Sequence, residues 1–303
     1  MRKLLLVCLS VYSLLSLSSC QTMESATTLA TGIGQGVGVI SASQADSLRK
    51  TAKAVSRSAE EFTPEQEYYI GRAVGAVVLG KYPAYDRRAV NEYVNVIGQM
   101  LAQASDLPAI FGGYHFLVLD SNEINAFATP SGLIFVTRGL LRCCRNEDAL
   151  AAILAHEIGH IQLRHGMQAI EKARVTEALT TIAAEGAKTF GSREVAALTQ
   201  TFGGTISDIT GALINKGYAR SSEYGADQAA VDLLRRVGYD PNGLIEMLAV
   251  MTKNLKAGGP DFAKTHPAPE DRIAEIKKKG LAYAAVPAPA PRQARFLQSL
   301  GNI

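Results

Sequence analysis

The sequence predicts an α+β protein, mainly helical, with a small β-sheet flanking one long apolar helix. Helix-start signals stand at Thr63-Pro64 and at Asn146-Glu147-Asp148, two β-type runs lie at 114–120 and 132–137, and the spacing after Arg145 is helical. The 303 residues are 47% hydrophobic and 19% charged, the balance of a globular chain able to build a sizeable core. The net charge of 31 − 28 = +3 gives no electrostatic case for nucleic acid as a partner. No apolar run reaches the roughly 18 to 20 residues that cross a bilayer, which argues against a polytopic membrane protein.

The chain opens with Arg2 and Lys3 followed by the apolar stretch 4–17, too short for a comfortable membrane span and right for a signal peptide. Leu17-Ser18-Ser19-Cys20 resembles the lipobox of bacterial lipoproteins, so residues 1–19 are expected to be removed and Cys20 to carry lipid and anchor the chain to a membrane. Without residues 1–19 the charge is 29 − 28 = +1, which says nothing about partners. Gln21, being other than Asp, resembles default outer-membrane sorting in cells with two membranes. Of four cysteines only the adjacent Cys143 and Cys144 then remain, either a strained or intermolecular disulfide or two small apolar residues beside a helix start.

Residues 20–61, rich in Ser, Thr, Ala, Gly and Gln, read as a tether with a weakly apolar helix near 39–55; the glycines at 32–38 match no phosphate loop. Thr63 as N-cap, Pro64 and Gln66 start a helix to about Leu79, and Asp86 is expected to cap a second through Tyr93, Ile97 and Leu101. The two strands are joined by residues 123–131, whose Pro130-Ser131-Gly132 end signals a turn. The apolar helix is capped by Asn146 and expected to close near Gly166.

That helix contains His156-Glu157-Ile158-Gly159-His160, the pattern H-E-x-x-H. At about 100° per residue the two imidazoles and the carboxylate between them project from one side, so both nitrogens reach one tetrahedral zinc ion while Glu157 stands beside it as general base. Gly159 costs a helix interior about 1 kcal/mol, which is easier to understand if another segment approaches closely there. His165 would lie about 180° from His156 on a continuous helix, a poor ligand, and is left as a helix-end cap or a support behind the ligands. A third ligand is needed, and the best candidate is Glu223 with Asp227 one turn later; the alternative is a solvated acidic face.

Asn125-Ala126-Phe127, Pro130 to Thr137 with Arg138-Gly139-Leu140-Leu141, His156 to His160, Glu223 with Asp227, and Thr265-His266-Pro267 with Arg272-Ile273 occur in an order that resembles the CAAX-prenyl-protease-like, or HtpX-like, zinc metallopeptidases, including their periplasmic BepA-like and LoiP-like members. The resemblance covers about residues 60–280. It implies a gluzincin-like domain holding one zinc per chain, with His156, His160 and Glu223 as ligands, Asp227 behind them and Asn125 to Phe127 at a substrate-binding strand edge. His266 matches a loop histidine that takes the zinc's open position in relatives, or it is an ordinary loop residue. Arg272 either stabilises a developing oxyanion or pairs with Glu270 or Asp271.

The expected organisation is signal 1–19, tether 20–61, metallopeptidase domain 62–283 and a Pro/Ala-rich tail 284–303 without a clear tetratricopeptide array. The Gly- and Thr-rich stretch 185–217 reads as a lid or helical hairpin. The implied function is zinc-dependent endoproteolysis of unfolded or misassembled cell-envelope proteins from a lipid anchor on the periplasmic side. The alternative is a zinc-bearing chaperone or assembly scaffold with latent activity.

Overall fold

The computed structural model describes residues 20–36, 41–58, 62–171, 217–254, 266–281 and 283–303. The expected signal 1–19 and most of the expected lid lie outside them. Two compact units are present, one of residues 1–62 with 170–205 and one of 63–169 with 206–303. In the first, helices α1 (Cys20–Gly36) and α2 (Ala42–Ser58) pack together. The expected tether is thus helical twice over. Ser41 starts α2 by accepting from the Gln44 backbone N–H at 3.2 Å, a local cap that outweighs the low apolar content.

The second unit follows the order α3 (Pro64–Lys81), α4 (Arg88–Ala104), β1 (His115–Leu119), β2 (Ala126–Ala128), β3 (Leu133–Thr137), α5 (Arg138–Leu141), α6 (Glu147–Gln162), α7 (Arg220–Val237), α8 (Asn242–Asn254), α9 (Pro269–Lys278) and α10 (Ala290–Leu300). Proline fits the first turn of α3, where its missing N–H has no helical partner. Asp86 does not cap α4. Arg87 is the extended cap residue, without a side-chain bond, and Asn91 instead ties the helix to the sheet through its side-chain Oδ1, which accepts from Val118 N at 2.8 Å.

The sheet has the order β1-β3-β2, with β1 and β3 parallel and β2 antiparallel to β3 in the register Ala126↔Val136, Phe127↔Phe135, Ala128↔Ile134. Period-two alternation sorts its side chains. Phe116, Val118, Ile134 and Val136 join the main core with α4 and α6, and Leu119, Phe127 and Phe135 meet Val78 and Tyr82 at the end of α3 in a smaller cluster. Strand β2 lies within the stretch whose spacing reads as a connection, since three residues are too short to show a period; the family resemblance alone places Asn125 to Phe127 at a strand edge.

The main core surrounds α6, which is buried from Glu147 to Ile161, as expected of a helix apolar on every side. Asn146 caps it, its Oδ1 accepting from Ala149 N at 2.8 Å. The helix stops at Gln162, before Gly166, because Arg164 takes a left-handed conformation at φ 56. The expected tail is also structured. Phe296 and Leu300 of α10 are buried, and Arg292 and Arg295 reach the first turn of α6, Arg292 Nη1 lying 2.8 Å from Asp148 Oδ1 and Arg295 Nε 2.5 Å from Glu147 Oε2. The amphipathic 11-residue helix finds partners that the Pro/Ala composition does not reveal. Cys143 and Cys144 are free, buried thiols; burial raises both, Cys143 to about 11, and keeps them protonated. No helix among the described residues is long and apolar enough to cross a membrane.

Candidate metal centre

Helices α6 and α7 cross at Gly159. A Cβ there would stand 3.0 Å from the Ala226 carbonyl oxygen and 3.2 Å from Ala226 Cα, so only glycine lets the backbones approach this closely. The crossing lays the first turns of α7 against the H-E-x-x-H turn, and the carboxylates of Glu223 and Asp227 arrive beside the imidazoles. His156 Nε2 lies 3.1 Å from His160 Nε2 and 3.5 Å from Glu223 Oε2, and His160 Nε2 lies 3.4 Å from Glu223 Oε1.

These separations fit a metal. Ligands about 2.0–2.1 Å from a tetrahedral ion sit roughly 3.3–3.4 Å apart, and the three observed distances fall around that value. Glu223 Oε1 is buried and accepts no hydrogen bond among the described residues, a costly state for a carboxylate oxygen unless a cation meets it. Glu157, Glu223, Asp227 and Arg272 are all buried, and with the carboxylates ionised and the imidazoles neutral their formal charges sum to −3 + 1 = −2, the charge one divalent cation balances. His266 completes a buried group whose ligand atoms lie within 4.8 Å of one another.

The outer sides of the imidazoles are also occupied. His156 Nδ1 is 3.0 Å from Asp227 Oδ1. Arg272 holds that same carboxylate in a two-pronged grip, Nε to Oδ2 at 2.9 Å and Nη2 to Oδ1 at 2.5 Å. Neither Glu270 nor Asp271 is its partner. The fully buried guanidinium lies against His156, with Nη2 3.2 Å from Nδ1 and 3.5 Å from Nε2, and supports Asp227 there. His160 is flanked by His165, Nδ1 to Nδ1 at 2.9 Å, and stacked by Tyr218 at 4.4 Å between ring centroids. Sequence reasoning missed Tyr218; it stands two residues before α7 and has no spacing relation to the motif.

His266 Nδ1 lies 2.6 Å from Glu223 Oε2, as donor to the carboxylate, and its ring faces those of His156 and His160. The open edge of β2 borders the same cleft. Ala126, Phe127 and Ala128 line it with Glu157, Tyr218 and His266, whereas Asn125 is buried at the strand's start and its Oδ1 accepts from Ala126 N at 3.0 Å.

The protein's own charges set the protonation of this cluster. Burial raises the Glu157 carboxyl to about 7. Burial and Arg272 oppose a proton on His156, but Asp227 and Glu223 outweigh them and raise it to about 9. Burial pushes His160 down to about 3. Burial works against the ionised Asp227 and Glu223, yet Arg272 and His156 hold the former, and His266 and His160 the latter, below the usual carboxylate range. The arrangement is a pair of neutral-capable imidazoles, one anionic ligand and an adjacent carboxyl able to gain and lose a proton near neutrality.

Fold and site together define a helical α+β protein with an H-E-x-x-H metal centre of the peptidase type. The chain belongs to peptidase family M48, whose family model matches residues 88–279. It is 28% identical over 220 residues to the beta-barrel assembly-enhancing protease of Escherichia coli (strain K12), covering 71% of this chain and 44% of that protein. It is 28% identical over 165 residues to the metalloprotease LoiP of the same organism, covering 54% of this chain and 62% of LoiP. With the mitochondrial metalloendopeptidase OMA1 of Schizosaccharomyces pombe it shares 30% identity over 160 residues, 51% of this chain and 43% of OMA1. The chain therefore spans less than half the length of two of these three curated relatives.

Proposed function

We propose that this protein is a zinc-dependent endopeptidase that cleaves unfolded or misassembled proteins of the cell envelope, held at the membrane by lipid on Cys20. The observation that carries the reading is the convergence of His156, His160, Glu223 and Glu157 in one buried cluster beside the open edge of β2. The names of the relatives, a protease that enhances β-barrel assembly among them, support an envelope role. Localisation on the periplasmic side, at the outer membrane in a cell with two membranes, rests on the lipobox and Gln21.

His156, His160 and Glu223 would hold the ion. A zinc ion bound there supplies Lewis acidity for activating water and polarising the scissile carbonyl. Glu157, whose carboxyl lies near neutrality, takes the proton from the attacking water and passes it to the leaving amine. Asp227, gripped by Arg272, accepts from His156 Nδ1–H and fixes the tautomer that leaves Nε2 free for the ion.

The substrate enters as a strand. Thr137 N donates to Asn125 O and Thr129 N to Leu133 O, so positions 125 and 129 bond to β3, and the alternation of an antiparallel ladder turns Ala126 and Ala128 outward; Ala126 N is held by Asn125 Oδ1 and Ala128 O by Tyr218 Oη, which leaves Ala126 O and Ala128 N to meet the substrate. Pairing with that edge reads backbone more than side chain and suits unfolded substrates.

The alternative, a chaperone or scaffold with latent peptidase activity, is favoured by one contact, the His266 to Glu223 approach at 2.6 Å. With His266 as a fourth protein ligand no position is left for water; with His266 displaced, one opens. The test is cleavage of casein by the zinc-loaded full chain and its His266→Ala variant. Chelator-sensitive cleavage, faster in the variant, is expected. One bound zinc without cleavage by either protein would leave the scaffold reading.

A further inference from the structure

Arg164 is the one non-glycine residue among the described residues with a left-handed backbone, at φ 56. That conformation costs an L-residue about 1–2 kcal/mol, and such costs persist where the surroundings demand them. Its effect is on the next residue. On an uninterrupted α6, His165 would point away from His156 and His160. After the turn at Arg164 the chain is helical again from 165, and His165 is folded back with Nδ1 2.9 Å from His160 Nδ1.

The donor in this contact follows from the zinc reading, on which the inference rests. His160 turns Nε2 toward His156 and Glu223. An imidazole that gives Nε2 to a metal keeps its proton on Nδ1 and must donate it. We infer that His165 is a positioning residue for the metal site, the neutral acceptor that takes the His160 Nδ1–H and fixes that ligand's tautomer and ring angle. Tyr218 holds the ring face and His165 holds its edge.

Charge explains why a histidine serves here and an aspartate behind His156. With the imidazoles neutral, the site carboxylates Glu157, Glu223 and Asp227 and the Arg272 guanidinium already sum to −2, the charge one divalent ion balances. A second carboxylate at 165 would leave an uncompensated buried charge, whereas a neutral ring accepts the same hydrogen bond without changing the balance.

The test compares His165→Asn, whose amide oxygen can take the place of Nδ1, with His165→Leu, similar in shape but without an acceptor. Zinc affinity of the full chain is measured by competition with a chromophoric chelator, alongside the absorption spectrum of the Co²⁺-substituted protein. His165→Leu is expected to bind zinc about 10–100-fold more weakly with an altered cobalt spectrum, and His165→Asn to recover most of both. Arg164→Gly relieves the backbone cost while keeping His165, but it also loses the ion pair with Glu67 and loosens the unfolded chain, so the melting temperature should change little while zinc affinity holds within about threefold. A residue that only packs would lower the metal-free melting temperature equally in Leu and Asn and leave zinc affinity unchanged; that result, or Asn no better than Leu, overturns the inference. Should Leu not fold, Asn against wild type and Arg164→Gly carries the test, and a loss of zinc affinity in Asn as large as 100-fold overturns it. Failure of the wild-type protein to bind zinc would instead overturn the reading of the site itself.

Discussion

Gly159 of α6 and Ala226 of α7 touch backbone to backbone, with 3.0 Å separating the Ala226 carbonyl oxygen from the place a Cβ would occupy at residue 159. The metal ligands from the two helices meet because this contact is so close. Gly159→Ala gains about 1 kcal/mol in helix propensity, but wedging a methyl group into a backbone contact costs about 1–3 kcal/mol. The net expectation is a small loss of stability and a zinc affinity lowered at least tenfold as Glu223 is pushed from the imidazoles. Thermal unfolding and chelator competition measure the two effects separately.

Arg272 and Asp227 form a buried ion pair behind His156. Arg272→Met leaves the Asp227 charge buried with its two-pronged partner gone, a change expected to destabilise the fold by about 3 kcal/mol or more. Asp227→Asn keeps the shape but weakens acceptance from His156, with zinc affinity expected to fall about 10–100-fold. In the double variant the losses should be less than additive, which a double-mutant cycle on unfolding free energy reads directly.

Zinc must displace the proton that Asp227 and Glu223 stabilise on His156, raised to about 9. Below that pH the apparent zinc affinity is expected to drop roughly tenfold per unit, and above it to level off. Competition titrations between pH 6 and 9.5 test this; a flat profile would show that His156 is neutral before the ion arrives.

Glu147, at the first turn of α6, accepts from Tyr93 at 2.7 Å and Tyr239 at 2.6 Å and is paired with Arg295 of α10. Burial alone would raise its carboxyl, but Arg295 and the two tyrosines outweigh burial and lower it. A carboxylate with a depressed folded pKa stabilises the protein above its unfolded value and loses that contribution as pH falls through the folded one. Glu147→Gln should therefore cost about 2 kcal/mol at pH 7, allowing for the half-exposed Arg295 side chain, and progressively less as the pH is taken down through the lowered folded pKa. Denaturant unfolding as a function of pH decides it.

What the sequence made legible was local. The cap at Asn146, the side-by-side His156, Glu157 and His160, the close approach at Gly159, and Glu223 one turn from Asp227 follow from helical geometry, and the structure brings them together. What it hid depended on contacts distant in the chain or on a single backbone angle. The left-handed Arg164 reverses the direction of His165, which helical extrapolation sends the wrong way. Arg272 has acidic neighbours beside it in sequence yet pairs with a carboxylate 45 residues away. Helix α10 resembles a linker until Arg292 and Arg295 find the two acids that open α6.

The central claim is that the cluster holds one zinc and that Glu157 moves the proton in peptide hydrolysis. The most direct test measures zinc content and casein cleavage on the same preparations of His266→Ala and His266→Ala/Glu157→Gln. Both should bind one zinc with similar affinity, and the second should cleave about 10²–10⁴-fold more slowly, the usual contribution of a general base. Equal cleavage by the two proteins would contradict the account.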